Sequence, residues 1–254
     1  MSFDPTPRLD GKVAVITGGL GAIGYASARR LAALGASCVL LHRKAEDADA
    51  RAAALPQADG QRHSAVRADI VDTPSLQRAA SAVQAAYGRC DILVNSAGHT
   101  QPVPAADLDA LTDELIDDLL RANFRGVFAT IRAFAPMLKA SGDGLVVNVS
   151  SIAGFTGVGS NLAYVAAKAG LDVVGDALAK ALAPAVRVVS VSPGAVDSGF
   201  VPGRGSEFAA KMAASTPLGR IGLPEDVAAT VEALATTLRF VTGTRIVVDG
   251  GRHL

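Results

Sequence analysis

The chain has 254 residues and a formal net charge of +0; 50% of its residues are hydrophobic but only 4% are aromatic. Without tryptophan, the core has to be built from Ala, Val, Leu and Ile, which suits a buried parallel sheet covered by alanine-rich helices. The balanced charge and the lack of a basic block exclude nucleic acid as an expected partner.

The beginning of the chain and its two cysteines favour a cytoplasmic protein. Residues 1–5 have neither the basic nor the apolar region of a signal peptide, and no run approaches the roughly 18 apolar residues of a membrane span. Cys38 and Cys90 each fall at or beside a predicted strand, where a reducing compartment would keep them as buried thiols. We expect a soluble protein with no membrane partner and no metal site.

Short β-branched runs alternate with longer alanine- and leucine-rich runs of helical period along the chain. The predicted strands are 12–17, 37–41, 63–69, 91–95, 145–149, 187–191 and 245–248. The predicted helices are 23–34, 46–54, 74–87, 112–140, 162–183 and 224–238. Because parallel strands need crossover helices, this order predicts one α/β domain over residues 1–254, a Rossmann-type doubly wound parallel sheet of seven strands flanked by helices.

One stretch interrupts this alternation. Residues 194–222 contain six glycines and two prolines, with only a short helical pattern at 206–214. In an open α/β sheet, ligands bind beyond the carboxyl ends of the strands, so a glycine-hinged insertion after the sixth strand is placed to act as a substrate lid. An ordinary surface excursion is the alternative.

A glycine-rich turn directly follows the first predicted strand. It reads Thr-Gly-Gly-Leu-Gly-Ala-Ile-Gly over residues 17–24 and leads into an amphipathic helix. Glycines let the backbone turn tightly and approach a pyrophosphate, and the helix N-terminus offers unpaired N–H groups. The strand before the turn and the helix after it predict a dinucleotide site, with a plain strand-to-helix connection as the alternative.

The end of the second strand indicates which dinucleotide to expect. An acidic residue there would bind the adenosine ribose and repel a 2′-phosphate. The chain has His42 and Arg43 instead, with no acid before Glu46, and Arg43 could fork onto a phosphate. We therefore expect NADP(H) to be favoured and NAD(H) to be possible, while a solvated basic loop is the alternative. Further along, Asp69 could accept from the adenine amino group, and the small residues 95–98 would let the backbone pass close to the cofactor.

Tyr164 and Lys168 stand four residues apart, and Ser151 precedes the tyrosine by thirteen. On a helix, a four-residue spacing places the phenol and the ammonium on one face. A phenol normally has a pKa near ~10, and a fixed ammonium beside it lowers that pKa, so the phenol can exchange protons near neutral pH. The pair could also be a surface helix contact, but together with the glycine-rich turn it indicates an enzyme.

Taken together, these segments resemble the short-chain dehydrogenase/reductase family, in its compact branch. The matching pieces follow the family's order and cover nearly the whole chain: 17–24, 68–70, 95–98, Asn123, 148–151, Tyr164 with Lys168, 192–196 and 248–251. Ala22 departs from the pattern, because a glycine is usual there; the turn thereby has the glycine spacing of the longer, epimerase-like branch. Leu20 and Gly21 occupy the part of the turn where many NADP-dependent members carry a basic residue.

The resemblance implies a role for each matching residue. Tyr164 would be the general acid in reduction and the base in oxidation, Lys168 would lower the pKa of the phenol and hold the nicotinamide ribose, and Ser151 would hydrogen-bond the developing oxyanion. Asn123 would kink its helix and hold a water that relays protons to Lys168, unless it only ends a helix. The expected cofactor-binding residues are Gly18, Gly19, Gly21, Ile23, Gly24, His42, Arg43, Asp69, Ile70, Asn95, Ala97, Gly98, Tyr164, Lys168, Pro193, Gly194, Val196 and Ser198.

The sequence thus predicts an NAD(P)(H)-dependent oxidoreductase that interconverts a ketone and a secondary alcohol by hydride transfer. The expected substrate contacts are His99, Gln101, Ser151, Phe155, Asn161, Tyr164 and Phe200, and the scarcity of charge among them favours a neutral or weakly polar small molecule. Two alternatives stay open: a 3-oxoacyl reductase acting on a carrier-protein or CoA thioester, and a dinucleotide-binding sensor or scaffold without turnover. The resemblance also implies a homotetramer, formed through helices 112–140 and 162–183 and the C-terminal strand.

Overall fold

The computed structural model describes residues 7–44, 46–203 and 205–254. Its strands are β1 (Val13–Thr17), β2 (Ser37–His42), β3 (Ser64–Arg67), β4 (Ile92–Asn95), β5 (Gly144–Val149), β6 (Val186–Pro193) and β7 (Thr244–Val248). They form one parallel sheet in the order β3-β2-β1-β4-β5-β6-β7. The predicted doubly wound sheet of seven strands is confirmed, and the predicted strand ends agree within two residues.

Helices cover both faces of this sheet. They are α1 (Ala22–Ala33), α2 (Ala48–Ala53), α3 (Thr73–Tyr87), α4 (Asp113–Leu120), α5 (Gly126–Ala140), α6 (Ala153–Thr156), α7 (Leu162–Leu182), α8 (Ser206–Ala214) and α9 (Pro224–Thr236). The short helix α6 is too brief to have been predicted from a periodic pattern. Among the helices that the structure describes, none has both the length and the apolarity to cross a bilayer.

The prediction of a single helix over 112–140 is wrong. A π-helical turn, Arg121–Arg125, separates α4 from α5. Within it, Asn123 Nδ2 donates to the carbonyl oxygens of Leu119 (3.0 Å) and His99 (2.9 Å). The amide side chain therefore competes for the helical hydrogen-bond ladder, and it ties the widened turn to the loop after β4.

The third strand ends at Arg67, two residues before its predicted end. The physical reason is a turn built by Asp69, whose Oδ1 accepts from the backbone N–H of Val71 at 3.1 Å. Ala68 still donates to the carbonyl oxygen of His42 at 2.8 Å, so the chain leaves the sheet only after this residue.

Strand side chains alternate between the two faces of the sheet and fill two hydrophobic cores. On β1, Ala14 and Ile16 pack into the core that includes α1 and α9, while Val13 and Val15 pack into the core that includes α3, α5 and α7. This double burial explains the nearly continuous apolar strands. The chain reverses its winding between β1 and β4, which opens a crevice beyond the carboxyl ends of these strands.

Candidate active site

A cavity of about 700 Å³ occupies this crevice. Its walls come from the glycine-rich turn, the segments that follow β2 to β6, the first turns of α7, and the segment 194–222. Segment 194–222 contributes Phe200, Val201, Phe208 and Met212, so it covers the cavity rather than lying elsewhere on the surface. Within it, Arg204 lies outside the described residues.

The glycine-rich turn is shaped by close backbone approaches. Gly18 has a φ of +60°, and a Cβ added there would lie 2.9 Å from Ala97 Cα. A Cβ at Gly24 would lie 2.3 Å from the carbonyl oxygen of Gly18, and one at Gly19 would lie 2.9 Å from Leu40. Only Gly18 and Gly21 of these glycines reach the cavity wall. Gly19 and Gly24, predicted to bind the cofactor, instead allow the turn to close.

The turn has the features required to hold a pyrophosphate. Gly21 precedes α1 with an extended backbone and provides no side-chain cap, so the first N–H groups of this twelve-residue helix stay available to an anion. Thr17 Oγ1 accepts from the backbone N–H groups of Ser96 and Ala97, each at 3.1 Å, and thereby joins the ends of β1 and β4. Thr17 lines the cavity as well. No pattern in the sequence indicated a separate role for Thr17.

Asn95 does not reach the cavity. Its side chain is buried, and Nδ2 donates to Asn148 Oδ1 at 2.9 Å, across neighbouring strands. The side chain of Asn95 thus links β4 and β5, and the expectation that this residue binds the cofactor stays a prediction. The next residues of the same segment, Ala97 and Gly98, do line the cavity.

The far end of the cavity carries the residues that follow β2 and β3. His42, Arg43, Asp69 and Ile70 all line it. Arg43 is exposed and makes no side-chain hydrogen bond or ion pair within the described part of the chain. A guanidinium whose N–H donors have no partner can donate hydrogen bonds to a phosphate there. The end of β2 supplies no carboxylate that would repel this phosphate.

The helix α7 brings Tyr164 and Lys168 to the middle of the cavity. Both side chains are buried and line the wall, and Lys168 Nζ lies 5.6 Å from the centroid of the Tyr164 ring. Lys168 Nζ also donates to the carbonyl oxygen of Val149 at 2.8 Å. Burial lowers the pKa of Lys168 to about 8, against the opposing effect of Asp172 one turn further along.

The two serines after β5 have different hydrogen bonds. Ser150 Oγ donates to the carbonyl oxygen of Lys168 at 3.4 Å, so its proton is already committed. Ser151 Oγ accepts from the backbone N–H of Ala153 at 3.1 Å. This contact orients the hydroxyl but leaves its proton available to a ligand in the cavity, which favours Ser151 as the donor to a substrate oxygen.

Asn123 lies behind the cavity wall rather than on it. Its Nδ2 donates to the carbonyl oxygens of Leu119 and His99, and its Oδ1 is buried with no hydrogen-bond partner in the described residues. A Cβ added at Gly98 would lie 2.5 Å from that oxygen. The residue therefore shapes the loop after β4, and its expected role in holding a water stays a prediction.

Only some of the predicted substrate contacts line the cavity. His99 and Phe200 line the cavity, and the Phe200 ring lies 6.1 Å from the Tyr164 ring between centroids. His99 Nε2 pairs with Asp118 Oδ2 at 2.6 Å, so the one lining carboxylate on this wall has a partner. Phe155 does not line the cavity: its ring packs edge-on against the His253 ring at 5.6 Å between centroids, and its expected substrate contact stays a prediction.

Asn161 and Gln101, both expected as substrate contacts, form a structural link, and their contact with a substrate stays a prediction. Asn161 Oδ1 accepts from the backbone N–H of Tyr164 at 2.7 Å, which caps α7. Its Nδ2 donates to the carbonyl oxygen of Gln101 at 2.7 Å. Asn161 thus positions α7 against the loop after β4, and neither Asn161 nor Gln101 lines the cavity.

Several wall residues carried no recognisable signal in the sequence. Phe208 and Met212 come from α8, whose pattern predicted a helix but not the direction of its faces. Arg252 directly follows the matching segment 248–251, to which no role in the cavity was assigned. Only the folded arrangement of segment 194–222 and the C-terminal turn reveals these side chains.

Comparisons with known proteins agree with this geometry. Residues 19–253 match a family model described as enoyl-(acyl carrier protein) reductase. A chain of Streptomyces violaceoruber, assigned by name to the granaticin polyketide synthase as its ketoacyl reductase 2, is 40% identical, with 98% of this chain and 99% of that one covered. The cis-4-hydroxycyclohexanecarboxylate dehydrogenase of Sinomonas cyclohexanicum is 37% identical over 94% and 96% of the two chains. The crystal structure of a dehydrogenase/reductase from Sinorhizobium meliloti 1021 superposes with a TM-score of 0.88 at 34% identity, over 98% of each chain.

Proposed function

The chain belongs to the short-chain dehydrogenase/reductase family, and we propose that it interconverts a ketone and a secondary alcohol with NADP(H) as the favoured dinucleotide. The observation that carries the proposal is the convergence of Ser151, Tyr164 and Lys168 on one cavity that begins at the glycine-rich turn. A hydroxyl donor, a phenol and a buried ammonium at one place are the groups that carbonyl reduction requires.

In the reductive direction, a reduced dinucleotide held by the glycine-rich turn and Lys168 would supply a hydride to the carbonyl carbon. Tyr164 gives its phenolic proton to the carbonyl oxygen, and Ser151 donates a hydrogen bond to the same oxygen as negative charge develops there. Lys168 lies beside the Tyr164 ring, anchored on Val149, so its positive charge favours the phenolate that remains. Segment 194–222 acts as a lid that excludes water, with Phe200 next to the phenol.

The preference for NADP(H) rests on Arg43. Its guanidinium borders the cavity beyond β2 and is free of protein partners among the described residues. A planar fork of donors fits a 2′-phosphate, whereas NAD(H) would leave the same charge without a counterion. His42 and Asp69 border the same end of the cavity and would contact the adenosine.

A second candidate is reduction of a 3-oxoacyl thioester. It is favoured by the 40% identity to a chain named as a ketoacyl reductase. The reacting carbonyl would contact the same Ser151 and Tyr164. The two candidates therefore differ only in the part of the substrate that lies at the mouth of the cavity. Turnover of acetoacetyl-N-acetylcysteamine well above that of simple ketones would favour the thioester.

The deciding experiment is the substitution Tyr164→Phe. We expect turnover of a ketone panel, followed as NADPH oxidation, to fall by at least about 10²-fold, because the proton donor is lost while the ring remains. NADPH binding, followed by fluorescence titration, should change little. Retention of more than a few per cent of the wild-type rate would remove Tyr164 from the role of acid. Absence of turnover in the wild type, with NADPH still bound, would favour the sensor alternative.

We also infer that the protein assembles as a homotetramer in the cytoplasm. Phe128 on α5 and Val173 on α7 expose 39% and 67% of their surface on neighbouring long helices, as expected of helices that pair between subunits. Light scattering coupled to gel filtration tests this directly, and a monomer at micromolar concentration would contradict it.

A further inference from the structure

The side chain of Arg252 places a positive charge on the wall of the cavity. It lines the wall together with Phe208 and Met212 of α8. Its Nη1 donates to the carbonyl oxygen of Met212 at 3.3 Å and to Ser215 Oγ at 2.6 Å. Both acceptors are neutral. In the described part of the chain, no carboxylate pairs with Arg252, and its Nε and Nη2 donate no hydrogen bond.

The other charged groups around this part of the cavity are accounted for. Asp118 pairs with His99, and Lys168 is anchored on the Val149 carbonyl beside Tyr164. Asp197 lines the cavity just after β6 and forms no ion pair with Arg252. The guanidinium is thus a positive charge, only partly exposed, that the described residues leave without a counterion.

The way in which Arg252 is held prepares it for a ligand. A guanidinium has five N–H donors in a planar fork whose edges match a carboxylate. Here one nitrogen is tied to the end of α8, which fixes the plane and leaves the remaining donors uncommitted. A group immobilised in advance loses less conformational entropy when the ligand binds.

We propose that Arg252 binds a carboxylate of the substrate, which makes the substrate class oxo acids and the corresponding hydroxy acids. This inference rests on the proposed function, because Ser151 and Tyr164 would hold the ketone of the same molecule. The apolar side chains Phe200, Val201 and Met212 line the cavity as well and suit a hydrocarbon spacer. The inference replaces the neutral or weakly polar substrate expected from the sequence with an anionic one, because Arg252 had not been recognised as a wall residue.

The experiment compares oxo acids with their neutral esters. Wild type and Arg252→Gln are assayed with 4-oxopentanoate, 5-oxohexanoate, 6-oxoheptanoate and the three methyl esters. The acid with the highest kcat/KM shows which spacing between carbonyl and carboxylate fits the cavity. For the best-fitting acid, we expect the ratio of kcat/KM for acid to ester to fall about 10- to 100-fold in the variant, mainly through KM, because charge-assisted hydrogen bonds are lost. Arg252→Lys should restore only part of this ratio.

The matched control is Lys211→Gln, which removes one exposed positive charge from α8 without touching the cavity wall. It should leave the acid-to-ester ratio unchanged. If Arg252 merely clamps α8, Arg252→Gln lowers kcat/KM for acid and ester equally, and the proposal is overturned. A loss seen with acetoacetyl-CoA but not with any oxo acid would overturn the carboxylate assignment in favour of a phosphate.

A binding measurement separates this inference from the proposed function. Hexanoate and hexanamide are titrated calorimetrically into the NADP⁺ complex of wild type and of Arg252→Gln. We expect hexanoate to bind wild type at least about tenfold more tightly than hexanamide, with the preference lost in the variant. Equal affinities in the wild type contradict the anion site. Preferential hexanoate binding without any ketone turnover supports the site while removing the proposed reaction.

Discussion

Replacing Lys168 by methionine should change how the stability of the protein depends on pH. Burial lowers the pKa of Lys168 to about 8 in the folded protein, whereas the ordinary value is 10.5. The difference corresponds to a penalty of about 3 kcal/mol for keeping a buried ammonium at neutral pH. Lys168→Met removes that charge and its hydrogen bond to Val149, but it keeps most of the side-chain volume.

The sign follows from proton binding. Between about pH 8 and pH 10.5, the unfolded chain keeps the lysine proton and the folded protein has released it, so the free energy of unfolding of the wild type rises with pH in this window. Below about pH 8, both states carry the proton and the full penalty applies. Relative to Lys168→Met, the wild type should therefore gain about 2 kcal/mol between roughly pH 7 and pH 9.5.

The assay is urea unfolding of both proteins without cofactor, at fixed ionic strength, at half-unit steps across that range. Lys180→Met removes an exposed ammonium from the same helix and serves as the control, with a parallel pH dependence to the wild type. A difference between wild type and Lys168→Met that stays constant with pH would refute the reasoning. The ammonium would then not be desolvated in the folded state.

The remaining predictions concern the cofactor turn, the dinucleotide preference and the helix cap. Gly24→Ala should abolish NADPH binding, because its Cβ would lie 2.3 Å from a backbone oxygen; Gly170→Ala, whose Cβ meets the Phe124 ring at an ordinary 3.5 Å, should leave binding intact. Arg43→Ala should weaken NADPH binding at least about tenfold more than NADH binding, measured by fluorescence titration, whereas equal losses would exclude a 2′-phosphate contact. Asn161→Ala should cost about 1–2 kcal/mol of unfolding free energy in urea and lower kcat; an unchanged stability would show that the cap contributes nothing.

The strands and most helices were predictable because their hydrophobic periods reflect burial on one or two faces. A kink at Asn123 is expected from the family resemblance, but its form, a π-helical turn tied to the loop after β4, depends on a hydrogen bond from Asn123 to His99, which is distant in sequence. The same distinction applies to the site. Ser151 follows β5 at the carboxyl edge of the sheet, and Tyr164 and Lys168 lie on the first turns of α7, so the crevice at this edge brings all three to one cavity.

The expected wall residues that lie elsewhere in the structure show that proximity in sequence does not determine which side chains line the cavity. Phe155 lies four residues after Ser151, but the short helix α6 turns its ring toward His253 instead of the cavity. Arg252 directly follows the matching segment 248–251 but lies far in sequence from Tyr164, and the packing of the C-terminal turn against α8 brings it to the wall. Side-chain direction in short irregular segments is set by tertiary contacts, which no local pattern encodes.

The link through Asn161 has a consequence for changing the substrate range of this enzyme. One amide holds the start of α7 and the loop after β4, and it reaches that loop through the main chain of Gln101. The side chain at position 101 can therefore vary without loosening the phenol of Tyr164. Libraries that diversify position 101 should leave Tyr164 in place, whereas replacements at position 161, whose Nδ2 also donates to Thr100 Oγ1 at 3.3 Å, would impair every substrate alike.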